Sequence, residues 1–339
     1  MTIRQGLTLI SLVVFTTVAS ADELLMKNGS RLVGTLVSSD ENNVVFNTPF
    51  SGDITINQVN IETIITEDQV TLLMQDGTIY RDKAIVSQED SLIVFDEGEK
   101  PISFAVGDIK MINPEPWRLG DGYKWFGQVN VALESERGNS DSDELDADME
   151  SIWRSLEDRY TIRGSWEIDE TNGDRNKNNW KLRNKYDRFS KQDPDNYYGA
   201  QIAFEHDEFA DLDLRTAVGP YIGRQFYEGD YLALQGEVGV VYVDEQFDVA
   251  EDGDFWGANW ELRLSSGIIP KTELYVNQDG VVNLNGPEDS IVNTTVGIKF
   301  PLLFGLQAAF EALYEYDGGA VDDVDDTDET YNFKLGYSW

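Results

Sequence analysis

From Tyr123 onward, apolar side chains recur at every second position in runs separated by acidic, turn-rich segments. Each run is long enough to cross a bilayer as a tilted strand, which takes about 9–11 residues. Twelve runs can be marked. The first, beginning at Trp125, sets Val129, Val131 and Leu133 against Gln128, Asn130 and Glu134. The second opposes Leu145, Ala147, Met149 and Trp153 to Asp146, Asp148, Glu150 and Arg154; the third, Tyr160, Ile162, Trp166 and Ile168 to Arg163, Ser165 and Glu167. In the fourth, Trp180, Leu182 and Tyr186 face away from Lys181, Arg183 and Lys185. The next four are marked by Tyr198 to Phe204, Leu214 to Ile222, Leu232 to Tyr242 and Trp256 to Leu264. The ninth has the shortest pattern, around Leu274 and Val276, and the tenth and eleventh run from Val292 to Phe300 and from Leu306 to Tyr316. The twelfth alternates Tyr331, Phe333, Leu335, Tyr337 and Trp339 with Asn332, Lys334, Gly336 and Ser338.

This period, with aromatic side chains at the strand ends, is that of an antiparallel transmembrane β-barrel whose alternate residues face lipid and lumen. An even count places both barrel termini on one side of the membrane, the periplasmic side. The connections 155–158, 227–230 and 301–305 then fall on that side and are short, whereas 134–144, 244–254 and 317–329 face outward, longer and acidic. Parity puts Trp339 in the inner aromatic girdle. Tyr337 and Trp339 read there as the signal for the barrel-assembly machinery, and closure requires residues 331–339 to pair with the first strand near Trp125.

Residues 1–21 read as a signal peptide: Arg4 in a basic start, an apolar run from Leu7 to Val18, and Ala19-Ser20-Ala21 before cleavage. No later stretch reaches the roughly 20 apolar residues of a transmembrane helix. Residues 22–113 contain a repeat. Leu24-Leu25-Met26-Lys27-Asn28-Gly29, then Val44-Val45-Phe46, Ile54, Ile56 and Ile64-Ile65, return as Leu72-Leu73-Met74-Gln75-Asp76-Gly77, Leu92 to Phe95, Ile102, Phe104 and Met111-Ile112, offset by about 48 residues. Asn28-Gly29 and Asp76-Gly77 suggest type I′ hairpins. Each repeat is expected to be a small SH3-like or Sm-like sheet, together forming a periplasmic module, with residues 114–122 as a Pro-containing linker and 123–339 as the barrel.

The middle strands carry Tyr186-Asp187-Arg188-Phe189, Phe209-Ala210-Asp211-Leu212 with Arg215, and the series Gly219, Tyr221, Gly223. These resemble the salt-induced outer-membrane protein family, domain of unknown function 481, over the barrel only. The resemblance implies an outer-membrane barrel linked to salt stress. It implies no reaction and no catalytic residues.

Composition narrows the chemistry. The 339 residues include no cysteine and one histidine, leaving few ways to build a zinc or haem site, and the formal net charge of −37 repels nucleic acid. Inward polar faces would gather Arg154, Arg163, Lys181, Arg183, Lys185, Arg215, Arg263, Lys299 and Lys334 against Glu134, Asp146, Asp148, Glu150, Glu167, Glu205, Glu237, Glu261, Glu311 and Glu315. Opposite charges in a narrow lumen would pair across it; an open lumen would instead form a small pore with a transverse field. His206 could serve a lipid enzyme as general base. No serine lies near it on its own strand, and Ser265 and Ser266 fall at the opposite end of the eighth, so a surface histidine is expected. Asp322, Asp323, Asp325, Asp326 and Asp328 offer oxygen ligands for Ca²⁺ or Mg²⁺, which could bridge to lipopolysaccharide, but without EF-hand spacing. The expectation is a non-enzymatic envelope protein of the outer membrane, structural or stress-related, in contact with its lipid and lipopolysaccharide. A narrow pore is the alternative, and a lipid-modifying enzyme a more distant one.

Overall fold

The computed structural model describes residues 21–40, 42–88, 91–94, 101–136, 142–229, 231–269, 271–287, 289–319 and 326–339. They fall in two compact units that divide after Leu119.

In the first unit the sequence repeat is a structural repeat. Strands β1 (Asp22–Met26), β2 (Arg31–Ser39), β3 (Asn43–Thr48), β4 (Gly52–Asn57) and β5 (Ile61–Ile65) form one sheet in the order β4-β3-β2-β1-β5. The second copy supplies β6 (Val70–Met74), β7 (Ile79–Lys83), β8 (Ile85–Gln88), β9 (Ser91–Val94), β10 (Ile102–Phe104) and β11 (Ile109–Ile112). Individual bonds recur at the repeat offset: Lys27 N donates to Asn60 O and Gln75 N to Asp108 O, both at 2.9 Å. Asp82, at φ 55°, interrupts the counterpart of β2, and the second copy accordingly splits into the sheets β11-β6-β7 and β10-β9-β8.

Neither copy has a core of its own. Leu24, Phe46, Ile61 and Ile64 lie in one buried cluster with Leu72, Ile85, Ile109 and Ile112. A repeat of this size buries too little apolar surface to be stable alone, and sharing a core relieves that limit. Gln58 Nε2 joins the copies by donating to Val106 O at 2.8 Å and Ile109 O at 3.1 Å, and Ile112 N donates to Ser39 Oγ at 2.7 Å.

The hairpin turns differ from the type I′ expectation. Only Gly29 (φ 84°) and Gly77 (φ 86°) are left-handed, while Asn28 and Asp76 are not among the positive-φ residues. Gly29 N donates to Met26 O and Met26 N to Ser30 O, both at 2.8 Å, which is a type I turn closed by a left-handed glycine. Asn28 and Asp76 instead use their side chains. Asp76 Oδ1 accepts from Thr78 N at 2.9 Å, a bond that holds its carboxyl below the usual range.

The second unit is a closed antiparallel barrel of β12 (Lys124–Glu136), β13 (Ser142–Arg154), β14 (Asp158–Thr171), β15 (Asp174–Phe189), β16 (Asn196–Asp207), β17 (Leu212–Tyr227), β18 (Ala233–Phe247), β19 (Gly253–Ser266), β20 (Glu273–Asn283), β21 (Ile291–Pro301), β22 (Leu306–Asp317) and β23 (Thr327–Ser338). The twelve strands are those the alternation marks. Their outward faces are apolar and exposed, from Val129 and Leu133 through Ile222, Val238 and Phe310 to Phe333 and Leu335. Such a band is stable only against lipid.

Loop lengths depart from expectation. Strands continue into the acidic segments as far as Glu136, Phe247 and Asp317, so the connections between them are shorter than hydropathy suggests. On the same side, β14 and β15 are joined by Asn172 and Gly173 alone, at φ 55° and 85°. This is the two-residue turn expected at the amino end.

Closure brings β23 beside β12, as the terminal aromatic pattern requires. The paired residues run from Gln128↔Ser338 to Val131↔Leu335, and Gly127 and Trp339 exchange backbone bonds of 3.2 and 3.1 Å. The ring of Trp339 lies 5.5 Å from that of Trp125, which stacks on Trp153 at 6.2 Å. This seam has four registered pairs, against thirteen between β12 and β13, and is the weakest joint in the wall. The chain has no cysteine, so Val131→Cys with Leu335→Cys can test the register cleanly. Direct neighbours of this kind are within disulfide reach. Oxidation should cross-link the folded barrel, as seen by altered mobility after boiling without reductant, whereas Val131→Cys with Phe333→Cys should not cross-link.

Candidate functional site

The period that turns apolar residues outward turns charged ones inward, and the lumen is where chemistry collects. Consecutive inward positions on β15 are Lys181, Arg183, Lys185 and Asp187, a column of three cations and one carboxylate that faces acidic residues on distant strands. Lys185 is bonded to Glu237 of β18 and lies 2.7 Å from Glu261 of β19. Arg163 of β14 spans Glu150 at 2.5 Å and Glu261 at 2.7 Å. Arg183 meets Asp279 at 2.9 Å and Glu261 at 3.7 Å, and Arg263 meets Glu150 at 2.7 Å and Glu261 at 3.8 Å. Glu261 therefore stands among four cations drawn from three strands, and Lys185, Glu237 and Glu261 are all buried.

Further ion pairs line the lumen, some between neighbouring strands and some across it. Arg215 reaches Glu245 at 2.6 Å, Asp317 at 2.8 Å and Glu205 at 3.2 Å; Lys181 joins Glu205 at 3.2 Å to Glu315 at 2.6 Å. Lys334 lies between Asp148 at 2.8 Å and Glu311 at 2.9 Å, and Tyr275 donates to Glu311 at 2.5 Å. Among the described residues, two cavities of about 290 Å³ have Glu150 and Arg263 in their walls, and a smaller one of about 110 Å³ is lined by Lys181, Glu205 and Arg215.

One layer was not assembled from sequence. Asp187, fully buried, accepts from Arg159 Nε at 2.6 Å and from the Tyr221 hydroxyl, while Tyr197 donates to Glu237 at 2.8 Å. The two tyrosine rings lie flat on glycines of the neighbouring strand. A Cβ at Gly223 would stand 2.3 Å from the Tyr197 ring, and one at Gly199 would stand 2.7 Å from Tyr221. Phe189 packs on Tyr197 at 5.4 Å, and Arg154 caps it with its guanidinium 3.4 Å from the ring centre. Asp187, Phe189, Tyr221 and Gly223 carried the family resemblance, and here they form one cluster. The motif was the signal that could have located this layer.

The structure thus brings Arg163, Arg183, Lys185, Glu237, Glu261 and Arg263 into one set of ion pairs and Lys181 and Glu205 into a second with Arg215, pairs Glu311 with Lys334, and lays the guanidinium of Arg154 on Phe189. Arg159, Asp187, Glu245, Asp279 and Asp317 complete the two sets. His206 points outward: its ring stacks on Trp180 at 6.1 Å, and Nδ1 lies 2.8 Å from Asp213 O. Ser266 Oγ donates to Tyr231 O at 3.0 Å, and Ser265 lines a lumen cavity bounded by β12, β13 and β17 to β22, so neither serine is a partner for His206. Asp322, Asp323 and Asp325 lie outside the described residues. Asp326 O accepts from Asp317 N at 2.9 Å, and Asp328 is registered with Glu315 on β22. Among the described residues, no group of three acidic or histidine side chains is arranged to hold a metal ion.

An apolar belt around a lumen lined by paired charges defines a membrane β-barrel. The chain belongs to the family described as protein of unknown function, DUF481, whose model matches residues 129–339. Among solved structures it is similar to the NanC porin, at 10% identity over 63% of this chain and 98% of that one, with a TM-score of 0.40. It is also similar to the translocator domain of the autotransporter NalP from Neisseria meningitidis, at 11% identity over 65% and 88%, TM-score 0.38. The outer membrane channel DcaP of Acinetobacter baumannii matches at 10% identity over 94% of both chains, TM-score 0.31. No curated relative matches.

Removing one member of a buried pair leaves the other charged and unsolvated, which costs about 3–5 kcal/mol, whereas exposed pairs contribute about 0–1 kcal/mol. Asp187→Ala should therefore lower barrel stability by about 3–5 kcal/mol, and Glu157→Ala, which breaks a surface pair with Arg188, by at most about 1 kcal/mol. Urea unfolding of the full chain in vesicles, followed by tryptophan fluorescence, measures both.

Proposed function

We propose that this is an outer-membrane barrel protein with a non-enzymatic envelope role, its lumen closed by its own side chains and residues 22–113 forming a periplasmic module. The observation that carries this reading is the cross-lumen network centred on Glu261, which links β14 and β15 to β18, β19 and β20 through the middle of the barrel. A conducting pore needs a continuous polar path, and long side chains here meet at ion-pair distance where that path would run. Buried pairs are little screened by salt. A lumen held this way would keep its geometry as ionic strength changes, which suits the stress-related role that the family resemblance implies. The signal segment and the acidic outer connections support the placement in the envelope.

A narrow pore is the second reading, favoured by the two cavities flanking the Glu150–Arg263 pair. Planar-bilayer recording of refolded full chain separates the two. Wild type should be silent after verified insertion, and Glu261→Ala should produce stepwise currents because Arg163, Lys185, Arg183 and Arg263 lose their common partner. Steady wild-type currents would instead establish the pore.

A further inference from the structure

The outer wall of the barrel is not uniformly convex. Across β16 to β20 one outward row runs in register: Asn196 pairs with Arg224, Arg224 with Gly236, Gly236 with Leu262 and Leu262 with Gln278. The adjacent row is Tyr198, Ile222, Val238 and Trp260. At Gly236 the lower row has no side chain, and the wall recedes into an apolar cavity of about 680 Å³ bordered by Tyr198, Phe226, Trp260 and Leu262. A Cβ at Gly236 would meet only the edge of the Phe226 ring at 3.2 Å and Leu262 at 3.9 Å, so the outward face is open at this position, and Tyr197, Glu237 and Glu261 of the wall also border the cavity. A lipid-facing recess of this size accepts an acyl chain.

Its rim is polar at one end, and the polarity is specific. Arg224 Nη1 donates to Asp193 at 3.0 Å and to Asn196 at 2.8 Å, and Nη2 lies 3.8 Å from Asp195. Nε and Nη2 donate no hydrogen bond among the described residues, although all three charged side chains are accessible. A guanidinium with free donors suits a phosphate. Two carboxylates beside it disfavour a headgroup of net negative charge and suit a primary ammonium, whose N–H groups can donate to them. We propose that the recess between Tyr198 and Trp260 binds one phospholipid with a phosphoethanolamine headgroup, its phosphate on Arg224, its ammonium on Asp193 and Asp195, and one acyl chain over Gly236.

The site requires the membrane barrel and is independent of whether the lumen conducts. Native mass spectrometry of the full chain, released from nanodiscs with equal amounts of phosphatidylethanolamine, phosphatidylglycerol and phosphatidylcholine of the same acyl composition, tests it. Wild type should retain one phosphatidylethanolamine about tenfold more than either competitor. Gly236→Leu fills the recess from the lipid side, and Arg224→Gln removes the phosphate contact; each should abolish that preference while the barrel remains folded by heat-modified mobility. Equal retention of the three lipids by wild type would overturn the proposal. So would wild-type preference in folded Arg224→Gln or folded Gly236→Leu.

Discussion

Charges withdrawn from water must be paired, and the interior of this barrel is organised by that requirement. A twelve-stranded wall encloses more space than short side chains fill, and an apolar filling would make every strand hydrophobic on both faces. The lumen is occupied instead by arginine, lysine and glutamate, whose length lets Arg163 on β14 reach Glu261 on β19 and Lys181 on β15 reach Glu315 on β22. Each such contact ties together strands that are not neighbours. A carboxylate such as Glu261, buried with four cations around it, is tolerable only because all are present, so the network behaves as a unit rather than as separate bonds.

The cluster around Asp187 shows how the wall itself serves the pairing. Tyr197 and Tyr221 can lie against the barrel wall because Gly223 and Gly199 present bare backbone there. Lying flat, they deliver their hydroxyls to Glu237 and Asp187, the two acceptors that also hold Lys185 and Arg159. Aromatic packing and ion pairing are thus one arrangement, and an inward tyrosine does what a further lysine would do without adding charge.

Much of this was legible in sequence because a strand has a period of two. Parity alone assigned Lys181, Arg183 and Lys185 to one face and Trp180, Leu182 and Tyr186 to the other. It could not say which cation meets which carboxylate, since those distances depend on how far each strand is staggered around the ring. Aromatic residues were the harder case. Tyr197 and Tyr198 are adjacent, yet the first is buried and the second exposed, and composition does not distinguish a lipid-facing tyrosine from one that donates into the lumen. The acidic connections misled for a related reason. Strand pairing continues beyond the apolar band wherever backbone partners are available, and hydropathy does not register backbone.

The short seam and the charged lumen are best understood together. Between β12 and β23 the ladder is brief, and an edge left incomplete in a membrane exposes unpaired backbone groups to lipid. Lumen side chains bridge the same gap from inside. Lys334 on β23 holds Asp148 on β13 at 2.8 Å, Gln307 on β22 donates to Asn130 on β12 at 3.0 Å, and Lys299 on β21 to Gln128 on β12 at 3.3 Å. Each contact passes over the β12–β23 joint. Side-chain pairing therefore contributes to closing the ring where backbone pairing is fewest, and the filling of this barrel and the integrity of its wall are consequences of the same interactions.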